Sequence, residues 1–220
     1  MDGSTHDSAH AHTRQRLLEA AGEVFADKGF RAATIREICA LAGANVAAVN
    51  YHFGDKEQLY LTVLKYAHNL VPSRAVDAAV AEGQTSPEQR LRAFIRGFMH
   101  GVYDEGRPAW HGKLLSQEMM DPTAALDTLV EEHIRPQFVT LNGILRDLLP
   151  SGAPPEMVLR CAASIVGQCL HYHHGRAVMT RLHPGLALTP AGIAALADHI
   201  ADFSLHALAG LATAQEGNTP

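Results

Sequence analysis

The stretch from Ala33 to Leu59, ATIREICALAGANVAAVNYHFGDKEQL, constrains this chain more than any other. Thr34 can accept a hydrogen bond from a free amide in a first helical turn, and Glu37 stands three residues on, the spacing of a capping box. Ile35, Ile38 and Cys39 then share one face at helical spacing, with Leu41 beyond them. Gly43 suits the left-handed residue that ends such a helix. Asn45 can cap a second helix running from Val46 to about Phe53, and a third follows at Lys56. Two short helices meeting at a glycine turn form the helix-turn-helix pattern, whose second helix can enter a major groove and read base edges. Helical hairpins with a glycine turn are common. The continuation Tyr51-His52-Phe53-Gly54-Asp55-Lys56-Glu57 is what sets this one apart.

These residues resemble the TetR family of one-component bacterial transcriptional regulators. Members carry an alanine-rich recognition helix running into Tyr-x-Phe-x-x-Lys-x-x-Leu, which here is Tyr51, Phe53, Lys56 and Leu59. Upstream, Arg16-Leu17-Leu18-Glu19-Ala20-Ala21 through Phe25, Lys28-Gly29-Phe30 and Thr34-Ile35 are similar to the family's first helix and its exit turn. The likeness covers about residues 13 to 65. It departs at Asn50, where the family often has a second tyrosine, and at Asn45, where Ser or Thr is more usual. Both departures bear on which operator is read. The resemblance implies an all-α fold, with an N-terminal three-helix helix-turn-helix DNA-binding domain and a larger helical ligand-binding and dimerisation domain. We expect a disordered tail over 1–12, the DNA-binding domain over 13–60, the effector-binding and dimerisation domain over 61–211, and a flexible tail over 212–220.

A chain of 220 residues can hold a small head and one larger core. No apolar run is long enough to span a membrane, and the polar start MDGSTHDSAHAHTR lacks the apolar stretch of a signal peptide. Cys39, Cys161 and Cys169 form no disulfide framework or close metal pair, which fits a reducing cytoplasm. The net charge is −5, and residues 1–70 hold seven Lys/Arg against eight Asp/Glu, so a domain-wide basic footprint is absent. Distribution matters more than the sum. Arg14, Arg16, Arg31, Arg36 and Lys56 lie near helix starts and turns where phosphates can be reached, while Glu19, Glu23 and Asp27 lie along a first helix that can face away. We expect few phosphate contacts per monomer, a need for dimerisation, and binding that weakens steeply with salt.

Contact roles follow residue by residue. Lys56, in the first turn of its helix, would hold a phosphate together with that helix's N-terminal amides. Tyr51 and His52 would do the same from the end of the recognition helix, as similar positions do in the family. Asn50 can pair with N6 and N7 of adenine, or be a plain surface residue. Val46 and Val49 have a core explanation, whereas Ala47 and Ala48 allow close approach to thymine methyls or backbone. Arg36 reaches base or phosphate, or is a solvated charge. Thr34 and Asn45 complete the DNA-facing set.

Past residue 65 strand alternation is scarce and the chain reads as helix after helix. The fourth helix runs from Lys56 to about Leu70 and closes at Pro72. Ala75 to Ala81 is a short helix or that helix resuming. Ser86-Pro87 opens the next, since Ser caps and Pro fits the first turn. Leu91, Phe94, Ile95, Phe98 and Val102 give it an apolar stripe, broken at Gly106-Arg107-Pro108. Further helices are expected from Trp110 to Met120, from Thr123 to about Leu149 with a kink at Pro136, from Glu156 to about Arg176, and from Pro190 to about Leu211.

In proteins of the TetR kind the last two long helices form a four-helix bundle with a partner's. That implies a homodimer interface here through Cys161, Ile165, Ile193, Leu196, Ile200, Phe203 and Ala207, although plain intramolecular core must account for part of each stripe. Phe98, Tyr103, Trp110, Leu114, Gln117, Met120, Phe138, Gln168, His171 and His174 are candidates to line a pocket for a small, mainly apolar effector, and most would be core in any helical domain. The segment from Ser116 to Thr123 and the late His-rich helix are similar to the CecR-like branch of the family. His171 and His174 share a helix face and could bind one metal, which would make a metal-responsive regulator, but no further ligand stands at ligand spacing beside them. The plainer reading is hydrogen-bonding or surface histidines in a chain that has 14.

No metal or cofactor is therefore expected, nor an enzyme. Gly101 and Gly106 stand alone rather than in a nucleotide-binding loop, and Glu131-Glu132-His133 lacks metalloprotease spacing. The expected function is a ligand-responsive repressor that binds a palindromic double-stranded operator as a dimer and is released by a small molecule, in a two-state equilibrium. The alternative from a different class is a helical protein-interaction module that does not bind DNA.

Overall fold

The computed structural model describes residues 3–69, 86–103, 108, 110–186 and 188–216, and every regular element among them is helical. The first compact unit holds α1 (Gly3–Ala32), α2 (Ile35–Ala42), α3 (Val46–Phe53), α4 (Lys56–Asn69), α6 (Trp110–Met120), α7 (Ala125–Leu129) and a π-helical turn at Val130–Ile134. The second holds α5 (Pro87–Val102), α8 (Arg135–Leu148), α9 (Pro155–His174), α10 (Arg176–Leu182) and α11 (Pro190–Glu216). The close at Pro72, the short helix over Ala75–Ala81 and the break at Gly106-Arg107 lie outside the described residues.

The first unit is built around α1 and α4. Leu17, Leu18, Ala21 and Phe25 of α1 meet Leu59, Tyr60, Val63 and Leu64 of α4, with Ile38, Val49 and Phe53 closing one side and Trp110 and Leu114 another. Each such Leu, Val, Ile or Phe side chain contributes about 1.5–3 kcal/mol when fully buried. α1 begins at Gly3, ahead of the boundary at residue 13 that the sequence suggests; no proline interrupts it up to Ala32. It bends at Gly29, whose φ of 76° only glycine adopts without strain.

The second unit buries Leu91, Phe94, Ile95 and Met99 of α5 against Leu141, Ile144 and Leu145 of α8, Val158 and Ile165 of α9, and Ile193, Ile200 and Leu208 of α11. Arg96 of α5 pairs with Asp198 of α11 at 2.7 Å, Arg92 pairs with Asp202, and Arg90 reaches Asp147 of α8 at 2.6 Å. These pairs are partly exposed, so they fix register more than they add stability.

Two expectations about helix limits change. The single helix expected from Thr123 to Leu149 is instead α7, a π-turn and α8. Pro136 has no amide to donate to the carbonyl of Glu132 and its ring crowds that carbonyl, so the chain widens in the turn just before it rather than kinking at it. The helix from Glu156 ends at His174, and Arg176–Leu182 forms a separate short helix, with the amide of Gly175 closing on the carbonyl of His171 at 2.8 Å.

Candidate nucleic-acid interface

The turn between α2 and α3 is held from both ends. The Thr34 hydroxyl accepts from the amide of Glu37 at 3.3 Å, and the Glu37 carboxylate accepts from the amide of Thr34 at 3.1 Å. Both halves of the capping box are therefore made. Lys28 of α1 also pairs with Glu37. That ammonium, and then Thr34, hold the Glu37 carboxyl below the usual carboxylate range. Gly43 takes the left-handed conformation at φ 59°, ψ 40°, and Ala44 donates back to the carbonyl of Cys39 at 2.9 Å. Arg16 reaches from α1 to the Gly43 carbonyl at 3.3 Å. The Asn45 side chain caps α3 by accepting from the amide of Ala48 at 2.8 Å.

α3 is anchored by Val49 and Phe53, which are buried in the head, and Ala48 is half-buried against the same core. Its other face carries Asn45, Val46, Ala47, Asn50 and Tyr51, all exposed, with Tyr51 at 75 %. Ala47, Asn50 and Tyr51 are three and four residues apart and so stand on one side. A short, doubly capped helix with small and amide side chains outward is a shape that can lie in a major groove.

The surrounding charges are distributed unevenly. Arg36 of α2 is exposed and makes no side-chain hydrogen bond or ion pair among the described residues. Lys56 turns back towards α1, donating to the carbonyl of Arg31 at 3.4 Å and lying 4.7 Å from the centre of the Phe30 ring. Asp55 caps α4 by accepting from the amide of Gln58 at 2.8 Å, so the chain's own carboxylate occupies part of that helix N-terminus. His10 of α1 stands with its ring centre 5.7 Å from that of Tyr51 and 6.0 Å from that of half-buried His52. Arg14, one helical turn on, lies 5.2 Å from the centre of the Phe53 ring. Burial first, then His10 and Arg14, push the His52 imidazole below its ordinary value.

The remaining candidates separate between the units. Trp110, Leu114, Gln117 and Met120 belong to the first unit. Trp110 and Leu114 are core there, Gln117 donates to the carbonyl of Ala26 at 3.0 Å, and Met120 is exposed. Phe98, Tyr103, Phe138 and Gln168 are half-buried in the second unit, where His171 and His174 are exposed. No group of three or more His, Cys, Asp or Glu among the described residues is arranged to hold a metal. Of the expected interface residues, Ile165, Ile193 and Ile200 are packed into the second unit's own core, Cys161 and Leu196 are half-buried against it, and Phe203 and Ala207 face outward. A stripe at spacings of three and four marks burial without saying what does the burying. Leu159 of α9 is also exposed, and so are Ala163 and Gly167 at four-residue steps beyond it.

Two features are not evident from sequence patterning. Glu118 of α6 is fully buried, accepting from the Tyr60 hydroxyl at 2.7 Å, the Thr123 amide at 2.8 Å and the Thr123 hydroxyl at 2.9 Å. Trp110 lies flat against Gly22 of α1, where an added Cβ would come within 2.4 Å of the indole ring.

Comparison with known proteins agrees with this geometry. The family of bacterial regulatory proteins of the tetR type matches residues 17–63, and the C-terminal domain of the HTH-type transcriptional dual regulator CecR matches residues 87–208. The CecR regulator of Shigella flexneri is 28 % identical over 171 residues, covering 74 % of this chain and 76 % of that one. The transcriptional repressor NicS of Pseudomonas putida is 26 % identical over 205 residues, covering 90 % and 92 %. A TetR-like regulator from Rhodococcus sp. RHA1 shares the fold with a TM-score of 0.59 at 23 % identity, covering 90 % and 96 %. A capped helix-turn-helix head carried by a helical body defines a DNA-binding transcriptional regulator. The chain belongs to the TetR family, with a C-terminal domain of the CecR type. No helix among its described residues is long and apolar enough to cross a membrane.

Proposed function

We propose that the chain represses transcription as a homodimer on a two-fold symmetric operator and is released by a small, mainly apolar molecule bound in its second unit. The observation that carries the DNA half of this reading is the exposed side of α3, with Ala47, Asn50 and Tyr51 held outward by a helix whose opposite side is locked into the head. One such helix reads too few bases for a unique site, so two must enter successive major grooves about 34–36 Å apart. The outward side chains of α9 and α11, Leu159, Phe203 and Ala207, offer an apolar surface for a second copy. The effector half rests on Phe98, Tyr103, Phe138 and Gln168. The Tyr103 hydroxyl is shielded from solvent and has no hydrogen-bond partner among the described residues, so a polar atom on a ligand would satisfy it.

Selection of bound sequences from a random double-stranded pool tests the reading. A two-fold symmetric motif is the expected result and supplies the probe for screening effectors. Failure of the folded protein to enrich any sequence would overturn it in favour of a protein-binding role for the head.

A further inference from the structure

The amino-terminal end of α1 brings imidazole and guanidinium groups onto the end of the recognition helix. His10 and Arg14 are four residues apart and therefore share one side of α1. On that side His10 stands against both Tyr51 and His52, and Arg14 lies over Phe53. Tyr51 and His52 are themselves in edge contact at 4.9 Å between ring centres. The cluster is partly open, since His10 and Tyr51 are exposed and His52 is half-buried. The charged groups that act on His52 through space are His10 and Arg14 of α1, both of positive sign or able to become so. Asp55, which opens α4, accepts from the Gln58 amide and so caps that helix.

Such a cluster has an electrostatic frustration built into it. Partial burial, and then the neighbouring His10 and Arg14, make protonating His52 costly in the unbound head. A phosphodiester placed against the cluster reverses the balance, because its negative charge favours each added proton. We propose that His10 and Arg14 of α1 join Tyr51 and His52 of α3 in a single phosphate-binding cluster that takes up protons when duplex DNA binds, so that affinity rises as pH falls.

The inference rests on the DNA-binding reading of α3 and adds the amino-terminal end of α1 to the interface. It is independent of base sequence, because phosphates position a protein without specifying a site. By linkage, each proton taken up on binding steepens the affinity by up to a factor of about ten per pH unit, over the range in which the imidazole is unprotonated when free and protonated when bound.

Fluorescence anisotropy with labelled duplex tests it, using the full chain in phosphate-free chloride buffer of fixed ionic strength between pH 6 and pH 8. Wild type, His10→Gln and His52→Gln are each measured on the selected operator and on a random duplex. The expected result is an affinity at least about tenfold higher at pH 6 than at pH 8 on both duplexes. Either substitution should flatten that dependence while circular dichroism shows an unchanged fold. His10→Gln is the decisive variant, since its exposed side chain leaves the core alone. Tight binding with a pH profile that neither substitution alters would overturn the cluster and leave the regulator reading intact. Absence of binding to any duplex at every pH would overturn both.

Discussion

Single side chains on α3 divide by the job their position allows. Tyr51 is exposed on the helix that Val49 and Phe53 anchor, so replacing it by alanine leaves the core alone and removes one contact. We expect Tyr51→Ala to weaken binding to specific and random duplex alike, by about 1 kcal/mol, the net worth of one hydrogen bond. Asn50→Ala should instead cost about 1–3 kcal/mol on the operator, with relaxed preference at one base pair and little change on random DNA. Anisotropy titrations on both duplexes separate the two, and equal losses for Asn50→Ala would remove its reading role. Capping residues were the most legible part of the chain, because Thr34, Glu37, Gly43 and Asn45 act within one helical turn of themselves. Lys56 was less so. Its reach to the Arg31 carbonyl and the Phe30 ring spans about 25 residues of sequence, a contact no local pattern encodes. Arg14 was expected as a charge near a helix start, but α1 begins at Gly3 and Arg14 lies inside it over the Phe53 ring, whereas His10 fell in a stretch whose polar composition suggested no partner.

At the scale of elements, α6 is joined to α1 and α4 by contacts that a mutation can interrogate one at a time. Gly22→Ala would add a methyl where the Trp110 ring already lies. Helix propensity favours alanine by about 1 kcal/mol, but overpacking costs about 1–3 kcal/mol. The net expectation is a lower melting temperature for Gly22→Ala, and an unchanged or higher one would mean that the indole moves aside freely. Tyr60→Phe removes one of three donors to the buried Glu118 carboxylate, and urea unfolding should show a loss of about 1–3 kcal/mol. Helix positions along the chain were readable from their caps and periodicity: Trp110–Met120 matches the expected limits, and Ser86-Pro87 opens α5 with a complete capping box. What α6 packs against was not readable. Trp110, Leu114 and Gln117 carry the same apolar and polar character whether they line a cavity or meet a neighbouring helix, and only the fold places them against α1.

Taken as a whole molecule, the chain should be sensitive to alkali through buried acids in both units, since burial also pushes the Tyr60 hydroxyl of the first unit up. Burial pushes the Cys169 thiol up to about 12 and the Tyr103 hydroxyl up to about 12. Both groups are neutral in the folded chain at pH values where the unfolded chain ionises, near 8.5 for a thiol and about 10 for a phenol. Their folded values are raised, so the stability they contribute is fully present below about pH 8.5 and is lost as pH climbs towards about 12. Urea midpoints measured from pH 7 upward should therefore fall beyond about pH 8.5. Cys169→Ala, less stable at neutrality because of the space it leaves, should lose less over the same interval. A decline just as steep in that variant would place the sensitivity elsewhere. The helix-turn-helix was visible in the sequence, whereas the membership of the compact unit that holds it was not. Trp110–Ile134 lies far along the chain from the helix-turn-helix and yet belongs to the same compact unit, a consequence of long-range packing that periodicity does not carry.

The seat of Trp110 on Gly22 has a practical corollary. The chain has one tryptophan, and its indole is 7 % exposed in the first unit, with Tyr66 and His111 as its ring neighbours. Its emission therefore reports on the first unit, while the second has no tryptophan of its own. An effector that shifts this emission without touching the indole would reveal long-range communication in an unlabelled protein.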